Sequence, residues 1–179
     1  ALVFRRRAVP LLAWVFQLES LERSKNTLVH QMLAHLKGLL GDLVLVADRG
    51  FGHAWALHCC RQLGVEFVLR VKGDATIHAG GQRGPARQFV LPRGRRFYPH
   101  AYYHSAQKLP VNFIAIYSGN DPWLLITSLT DFPRAVKLYR KRREIEEFSG
   151  PQKPAGLGGS AGAQCAEAAG FIGSFAGGL

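Results

Sequence analysis

Two carboxylates far apart in the chain are the side chains best placed to do chemistry. Asp48 directly follows the short apolar run Leu43–Ala47, and Glu146 lies in the charged segment "RAVKLYRKRREIEEF". Such a run is typical of a strand covered on both faces, and its C-terminal end faces the crevice where α/β proteins bind ligands. Carboxylates are ligands for Mg²⁺ and Mn²⁺. Two such ions about 3.5–4 Å apart stabilise both oxygens of a phosphodiester displacement, so the pair indicates metal-dependent phosphodiester chemistry.

Both acids also have a structural interpretation. An Asp in the position of Asp48 is a usual cap for the helix that follows, and position alone does not separate the two roles. Glu146 is in a run of charges typical of a solvated helix with ion pairs. However, Tyr139, Arg142 and Glu146 are spaced i, i+3 and i+7, which places them on one helix face. A carboxylate among basic groups that can bind phosphate favours the chemical role.

The net charge points to a polyanionic partner. Lys and Arg number 23 against 12 Asp and Glu, which gives a formal net charge of +11. A field of this size favours nucleic acid through counterion release. No apolar run is long enough for a transmembrane helix, so we expect no membrane partner.

The cysteines indicate the compartment. Cys59, Cys60 and Cys165 are an odd number without the spacing of a disulfide framework, which predicts an intracellular, reduced and cytoplasmic protein. His53 and His58 share a predicted helix with the paired cysteines, so zinc ligation is an alternative. No second cluster faces them in the sequence, which favours buried cysteines that act as small apolar groups.

The elements around Asp48 follow an α/β pattern. Apolar spacing predicts a helix over residues 24–39, ended by Gly41, and a second helix over 52–63, ended by Gly64. The run "VEFVLRV" at 65–71 predicts the next strand. Strand, helix and strand in so short a stretch make a βαβ unit with parallel strands.

The remaining elements are predicted from turn and capping residues. They are strands at Ala1–Phe4 and Val9–Phe16 around a basic turn, an irregular or β-rich insertion over 72–108, a hairpin of Val111–Tyr117 and Trp123–Leu129, and a helix from Thr130 or Asp131 to about Phe148. Residues 149–179 are mostly Gly and Ala without periodicity, which predicts a disordered tail.

Two segments of the sequence resemble those of a known protein family. "LVLVADRGF" and "YRKRREIEEF" resemble bacterial insertion-sequence transposases of the DDE type, in particular the group with a Tyr-Arg-Glu-Lys signature. That signature is Tyr, two residues, Arg, three residues, Glu, six residues and Lys, and Tyr139, Arg142, Glu146 and Lys153 fit its spacing. "ADRGF" is similar to the strand that bears the second catalytic Asp, and "FVLRVKGD" to the strand after it. The resemblance covers roughly residues 1–148.

The resemblance implies an RNase H-like α/β fold, a mixed sheet with flanking helices and a β-rich insertion. It implies three acids that bind two Mg²⁺ (or Mn²⁺) ions, with Asp48 as the second catalytic acid and metal ligand and Glu146 as the third. Tyr139, Arg142 and Lys153 would bind DNA phosphates. Water and then a DNA 3′-hydroxyl would attack phosphodiesters at transposon ends and in target DNA, and the full-length enzyme would act as a homodimer.

The chain also departs from the family pattern. It has no Asp before Asp42 and no acid before Glu19. The first strand, with its catalytic Asp, is therefore expected upstream of residue 1, and 1–148 is expected to be a partial, truncated and inactive catalytic domain. The residue after Arg142 is Arg143, where related sequences typically have Trp.

The second departure follows Phe148. The family continues Phe-Arg-x-x-Lys, whereas this chain continues Ser-Gly-Pro-Gln-Lys. With suitable codons, one restored T gives Phe-Phe-Arg-Ala-Ser-Lys, so we expect 149–179 to be out-of-frame translation. Lys153 would then fit the signature only by coincidence of spacing.

A different class of function fits the same residues. The chain would be a noncatalytic basic nucleic-acid-binding module, with Asp48 as a helix cap and Glu146 as an ion-pair partner. Metal binding that depends on both acids separates the two hypotheses.

Overall fold

The computed structural model describes residues 2–4, 7–9, 25–104, 106–118, 121–148 and 172–173. Side chains are described for 26–104, 106–118 and 121–142. The helices are α1 (Lys25–Leu40), α2 (Ala54–Gln62) and α3 (Phe132–Phe148), with 3₁₀ helices at Arg49–Phe51 and Ala86–Phe89. The strands are β1 (Leu2–Phe4), β2 (Arg7–Val9), β3 (Val44–Ala47), β4 (Glu66–Arg70), β5 (Thr76–Ala79), β6 (Gln82–Pro85), β7 (Arg95–Tyr103), β8 (Leu109–Ile116), β9 (Trp123–Thr127) and β10 (Ile172–Gly173).

Most strands join one mixed sheet in the order β10-β3-β4-β9-β8-β7-β5-β6. β3 and β4 are parallel and are connected through α2, which confirms the predicted βαβ unit. The other pairs in this sheet are antiparallel, including the predicted hairpin of β8 and β9. A mixed sheet with flanking helices confirms the predicted α/β class.

The sheet is buried on both faces near Asp48. Leu45 and Ala47 of β3 pack in the core that contains α1 and α2. Val44 and Val46 point the other way and pack with the residues of α3. The four residues of β3 are all buried, as their continuous apolar run predicts.

Two predicted boundaries are wrong. The second strand of the opening hairpin was expected at Val9–Phe16, but β2 (Arg7–Val9) already begins at Arg7, which pairs with Phe4. Residues 10–24 lie outside the described residues, so the expected end of this strand at Phe16 stays a prediction. The helix predicted from residue 52 begins at Ala54, because residues 49–51 form a separate 3₁₀ helix and His53 is extended.

The segment 72–108 contributes three strands, β5, β6 and β7, which extend the sheet beyond β8. β7 is irregular between Tyr98 and Ala101, where its register against β8 shifts. His100 lies within this irregularity and has a φ of 56°, a conformation unusual for a residue with a side chain.

Of residues 149–179, the structure describes only Ile172 and Gly173, which pair antiparallel with Val46 and Leu45 of β3. The predicted disorder of the tail concerns residues that otherwise lie outside the description.

The cysteines of α2 belong to the core. Cys59 and Cys60 are buried and form no disulfide. Burial, and secondarily the neighbouring Cys59, raises the pKa of Cys60 to about 12. Buried thiols that stay protonated match the prediction of small apolar groups.

Candidate active site at the end of strand β3

Asp48 and Arg70 are brought together by strand register. β3 and β4 are parallel, with Ala47 opposite Leu69, so the next residue on each strand is Asp48 and Arg70. Arg70 Nη1 lies 3.8 Å from Asp48 Oδ1. The arginine side chain is buried, whereas the carboxylate is 37% exposed. The pair therefore places a fixed positive charge behind an accessible acid.

Asp48 is not a side-chain cap. It occupies the N-cap position of the 3₁₀ helix Arg49–Phe51 with an extended backbone, and its side chain makes no capping hydrogen bond. Only its backbone oxygen takes part, by accepting a hydrogen bond from the Phe51 N–H at 2.8 Å. The carboxylate points to other partners, so the capping alternative does not describe this structure.

Helix α3 supplies those partners. The Tyr139 hydroxyl donates a hydrogen bond to Asp48 Oδ1 at 3.3 Å. Arg142 Nη2 lies 3.5 Å from Asp48 Oδ2. Three residues apart, the two share one helix face, as predicted. The structure thus brings together Asp48, Tyr139 and Arg142, three of the predicted site residues.

Tyr139 is a buried, neutral donor. Its ring packs edge-on against Trp123, with centroids 5.2 Å apart, and the Arg142 guanidinium lies 6.0 Å from its centroid. Burial and the nearby charge of Asp48 raise the pKa of Tyr139. The hydroxyl therefore keeps its proton at neutral pH and holds one carboxylate oxygen in place.

The structure leaves two predicted residues open. Glu146 lies in α3, seven residues after Tyr139, but its side chain is outside the description. Lys153 lies entirely outside it. Among the described residues, no group of three or more His, Cys, Asp or Glu is placed to hold a metal ion. The roles of Glu146 and Lys153 stay predictions.

Asp121 is a second carboxylate tied to the same arginine. It precedes β9, and its Oδ1 lies 2.6 Å from Arg70 Nη2. Arg49 Nη2 donates to both oxygens of Asp121 at 2.9 Å. The hydrogen bond from Arg70 holds the pKa of Asp121 below its ordinary value. Burial lowers the pKa of Arg70, but the bond to Asp121 and the nearby carboxylates outweigh it, so the net shift is upward.

Sequence reasoning missed three residues of this cluster. A signal existed for Arg70, because a lone charge at the end of the buried strand "VEFVLRV" needs a partner. Arg49 adjoins Asp48, but the sequence does not show where the side chain of a single basic residue after a strand will point. Asp121 stands in an Asn-Asp-Pro turn, where Asp is common for local reasons.

A family model described as a transposase DDE domain matches residues 16–150, well over half of the chain. The chain belongs to this transposase family. The matched span contains Asp48, Arg70, Asp121 and Tyr139, so the cluster is part of the transposase domain. No match is found among the curated proteins.

Family membership gives the transposase domain a role in DNA transposition, and its mixed sheet agrees with the RNase H-like fold of such domains. Within the described ranges, no helix is long and apolar enough to cross a membrane.

Transposases of this family generally use divalent metal ions. Asp48 fits such an ion in one respect, since it is a hard oxygen donor that is partly exposed at a strand end. The guanidiniums of Arg70 and Arg142, both within 4 Å of the carboxylate, would repel a metal ion bound there alone. They would also attract a DNA phosphate bound together with the ion. The Asp48 carboxylate thus has the donor chemistry of a ligand for such an ion, and its binding of a metal stays a prediction.

Gly52 allows the loop after Asp48 to pass close to β4. A Cβ at this position would lie 2.5 Å from the Arg70 carbonyl oxygen and 3.3 Å from Val71 Cα, both backbone atoms. We expect Gly52→Ala to lower the free energy of unfolding by about 1–3 kcal/mol, because one of two packed segments must shift. Denaturant titration measures this. Gly50→Ala is the control, since nothing lies within 4 Å of that Cβ. Equal stability of both variants would contradict the argument.

Proposed function

We propose that the full-length transposase to which this domain belongs carries out metal-dependent DNA strand cleavage and strand transfer, with Asp48 and Glu146 as two of its metal-binding catalytic acids. One observation carries the proposal: the Asp48 carboxylate is not a helix cap but is held by Arg70, Tyr139 and Arg142 at the C-terminal end of β3. The helix that supplies two of these partners also carries Glu146.

Asp48 and Glu146 would hold Mg²⁺ or Mn²⁺, which would supply Lewis-acid activation of the phosphodiester and its nucleophile. The chain's own residues orient the acid and attract the substrate. Tyr139 binds Asp48 Oδ1, which leaves Oδ2 facing Arg142. Water, and then a DNA 3′-hydroxyl, would attack phosphodiesters at transposon ends and in target DNA.

Arg142 is the proposed DNA-phosphate contact with the strongest support. Its guanidinium is attached to the site through Asp48, and a guanidinium binds phosphate with charge-assisted hydrogen bonds. Tyr139 is 2% exposed, so its hydroxyl would reach a phosphate only by leaving Asp48. Lys153 remains a proposed third contact on the spacing of the signature alone.

The proposed substrate is DNA, and the full-length enzyme is proposed to act as a homodimer. We propose that residues 1–148 form the partial catalytic domain, with 72–108 as its β-rich insertion and 149–179 as a tail. No Asp precedes Asp42, so the chain contains no match to the first acid of the family. We therefore expect the purified chain not to cleave DNA.

A titration with Mn²⁺, in which the free ion is measured by electron paramagnetic resonance, tests the shared metal site. Asp48→Ala and Glu146→Ala are each expected to weaken binding at least about tenfold. Loss of a residue that only supports a metal ligand typically weakens metal binding by about this much, and loss of the ligand itself costs no less. Asp42→Ala is the matched control, since Asp42 is fully exposed before β3, at the opposite end of that strand.

Mn²⁺ binding that neither site variant alters would overturn the proposal and support a noncatalytic basic DNA-binding module. The same preparations are assayed with supercoiled DNA and Mg²⁺. Nicking that is lost in Asp48→Ala would show that the chain is active after all.

A further inference from the structure

A basic pocket lies beside the proposed metal ligand. Its volume is about 190 Å³, and its lining includes Arg49, Arg70, Arg87 and Asp121. We infer that this pocket binds a phosphate group, supplied by the DNA backbone next to the bond that is cut. This inference rests on the proposed function for its DNA, but not on the metal site for its test.

The charge of the lining suits an anion. Three arginines against one aspartate leave a net charge of +2 among the lining side chains. The planar guanidinium presents its donors in a fork that matches phosphate oxygens, so arginines are favoured over lysines at such sites. A pocket with several guanidiniums therefore favours a tetrahedral oxyanion over a neutral ligand.

Asp121 behaves as a built-in substitute for that anion. Its carboxylate lies between two guanidiniums, 2.6 Å from Arg70 and 2.9 Å from Arg49. It is 60% exposed and stands in the connection before β9, so an incoming group can displace it. The carboxylate marks where two oxygens of a phosphate would be bound.

Arg87 lines the pocket but is not paired with Asp121, which contacts Arg49 and Arg70. It is exposed on the 3₁₀ helix Ala86–Phe89. Across the described part of the chain its side chain makes no hydrogen bond or ion pair. Gly73, which also lines the pocket, lies beside it, and its carbonyl oxygen accepts a hydrogen bond from the Arg87 backbone N–H at 3.0 Å. This bond fixes the backbone of Arg87 at the pocket.

The position of the pocket relates it to the chemistry. Arg70 lines it and also contacts Asp48, so one guanidinium separates the pocket from the proposed metal ligand. A DNA strand with one phosphate at Asp48 would bring an adjacent phosphate toward the pocket. The pocket would then align the strand.

The test measures the affinity for a short DNA duplex by fluorescence anisotropy, without divalent metal, over a range of salt concentrations. Arg87→Ala is expected to reduce the slope of log K against log salt by about 0.9, the loss of one phosphate contact. Arg83→Ala is the control, because Arg83 is another exposed arginine, on β6, that does not line the pocket. Its slope is expected to stay at the wild-type value.

Asp121 provides a variant with the opposite sign. Asp121→Asn removes the competing carboxylate and is expected to raise DNA affinity several-fold more than Asp42→Asn, which makes the same charge change at an exposed position outside the pocket. Equal gains for both variants, together with equal slopes for Arg87→Ala and Arg83→Ala, would overturn the pocket.

A second arm separates DNA from free phosphate. Melting temperatures are compared in inorganic phosphate and in chloride of matched ionic strength. Stabilisation by phosphate that Arg87→Ala abolishes, with unchanged DNA slopes, would assign the pocket to free phosphate. The phosphate pocket would be refuted if Arg87→Ala changed neither the DNA slope nor the stabilisation by phosphate. It would also be refuted if the wild type neither bound DNA nor was stabilised by phosphate.

The outcome is independent of the metal site. Arg87→Ala is expected to bind Mn²⁺ like the wild type, because it does not contact Asp48. If the DNA slopes of the two arginine variants agree while Asp48→Ala weakens Mn²⁺ binding, only the pocket is wrong. If Asp48→Ala leaves Mn²⁺ binding unchanged while Arg87→Ala lowers the salt slope of DNA binding, the metal proposal is wrong and the phosphate pocket is supported.

Discussion

Replacing Arg70 with methionine should strengthen Mn²⁺ binding at Asp48 by about tenfold while it weakens DNA binding. The guanidinium lies 3.8 Å from Asp48 Oδ1, where it repels any cation that the carboxylate attracts. Removing a unit charge so close to a divalent ion changes its energy by more than about 1.4 kcal/mol, even with strong solvent screening. The same change removes a phosphate-binding group.

The Arg70→Met protein should still fold. Methionine fills most of the buried volume. Asp48 keeps its contacts with Tyr139 and Arg142, Asp121 keeps Arg49, and both carboxylates, 37% and 60% exposed, can also be hydrated. We therefore expect a loss of only about 1–2 kcal/mol in the free energy of unfolding, less than for a fully buried pair.

Arg49→Met is the control for this prediction. Arg49 pairs with Asp121, so its removal should weaken DNA binding and change Mn²⁺ affinity less than Arg70→Met does. Isothermal titration with Mn²⁺ and anisotropy with DNA measure both effects. Weaker Mn²⁺ binding in Arg70→Met would mean that the arginine supports the acid rather than opposing the ion.

The free energy of unfolding should fall steeply as the pH rises from 9 to about 12. In this window the thiol of Cys60 is ionised in the unfolded chain, where its pKa is near 9.0, but stays protonated in the fold, where burial raises the pKa to about 12. The unfolded state therefore binds fewer protons, and each pH unit costs about 1.4 kcal/mol of stability, about 4 kcal/mol in all. Raised pKa values of Cys59, Tyr103 and Tyr139, each due first to burial, act in the same direction.

Cys60→Ala isolates the effect. The variant should be about 1 kcal/mol less stable at neutral pH, because a small cavity remains. Its stability should then fall much less between pH 9 and about 12, the range set by Cys60. Urea titrations at several pH values measure both slopes. Parallel curves for the wild type and Cys60→Ala would show that alkaline unfolding has another origin.

Much of the site's framework was predictable because its signals are local. The apolar run before Asp48 predicted β3, and the glycines at 41 and 64 predicted the ends of α1 and α2. Both have positive φ, 69° and 60°. The i, i+3 spacing of Tyr139 and Arg142 predicted a shared face, and both reach Asp48. In each case the information lies within a few residues of the feature.

The ionic partners were not predictable because they depend on strand pairing. Arg70 meets Asp48 only through the register of two parallel strands, and it meets Asp121 only because β9 lies next to β4. Opposite charges are common in a chain with 23 basic and 12 acidic residues, so composition does not select the pair that forms. The start of β2 was missed for a related reason, since an apolar run does not show that pairing already begins at the basic residue Arg7.

The parallel register of β3 and β4 also has a consequence for how this domain can change length in evolution. Asp48 and Arg70 adjoin because each follows a paired strand residue, Ala47 and Leu69, and not because of the number of residues between them. Insertions or deletions in the turn at Leu63 and Gly64, between α2 and β4, would leave the acid and the arginine side by side. A single residue added inside β4 would turn Arg70 to the opposite face of the sheet. Among relatives we therefore expect the spacing between these two residues to vary, while the strand position of each stays the same.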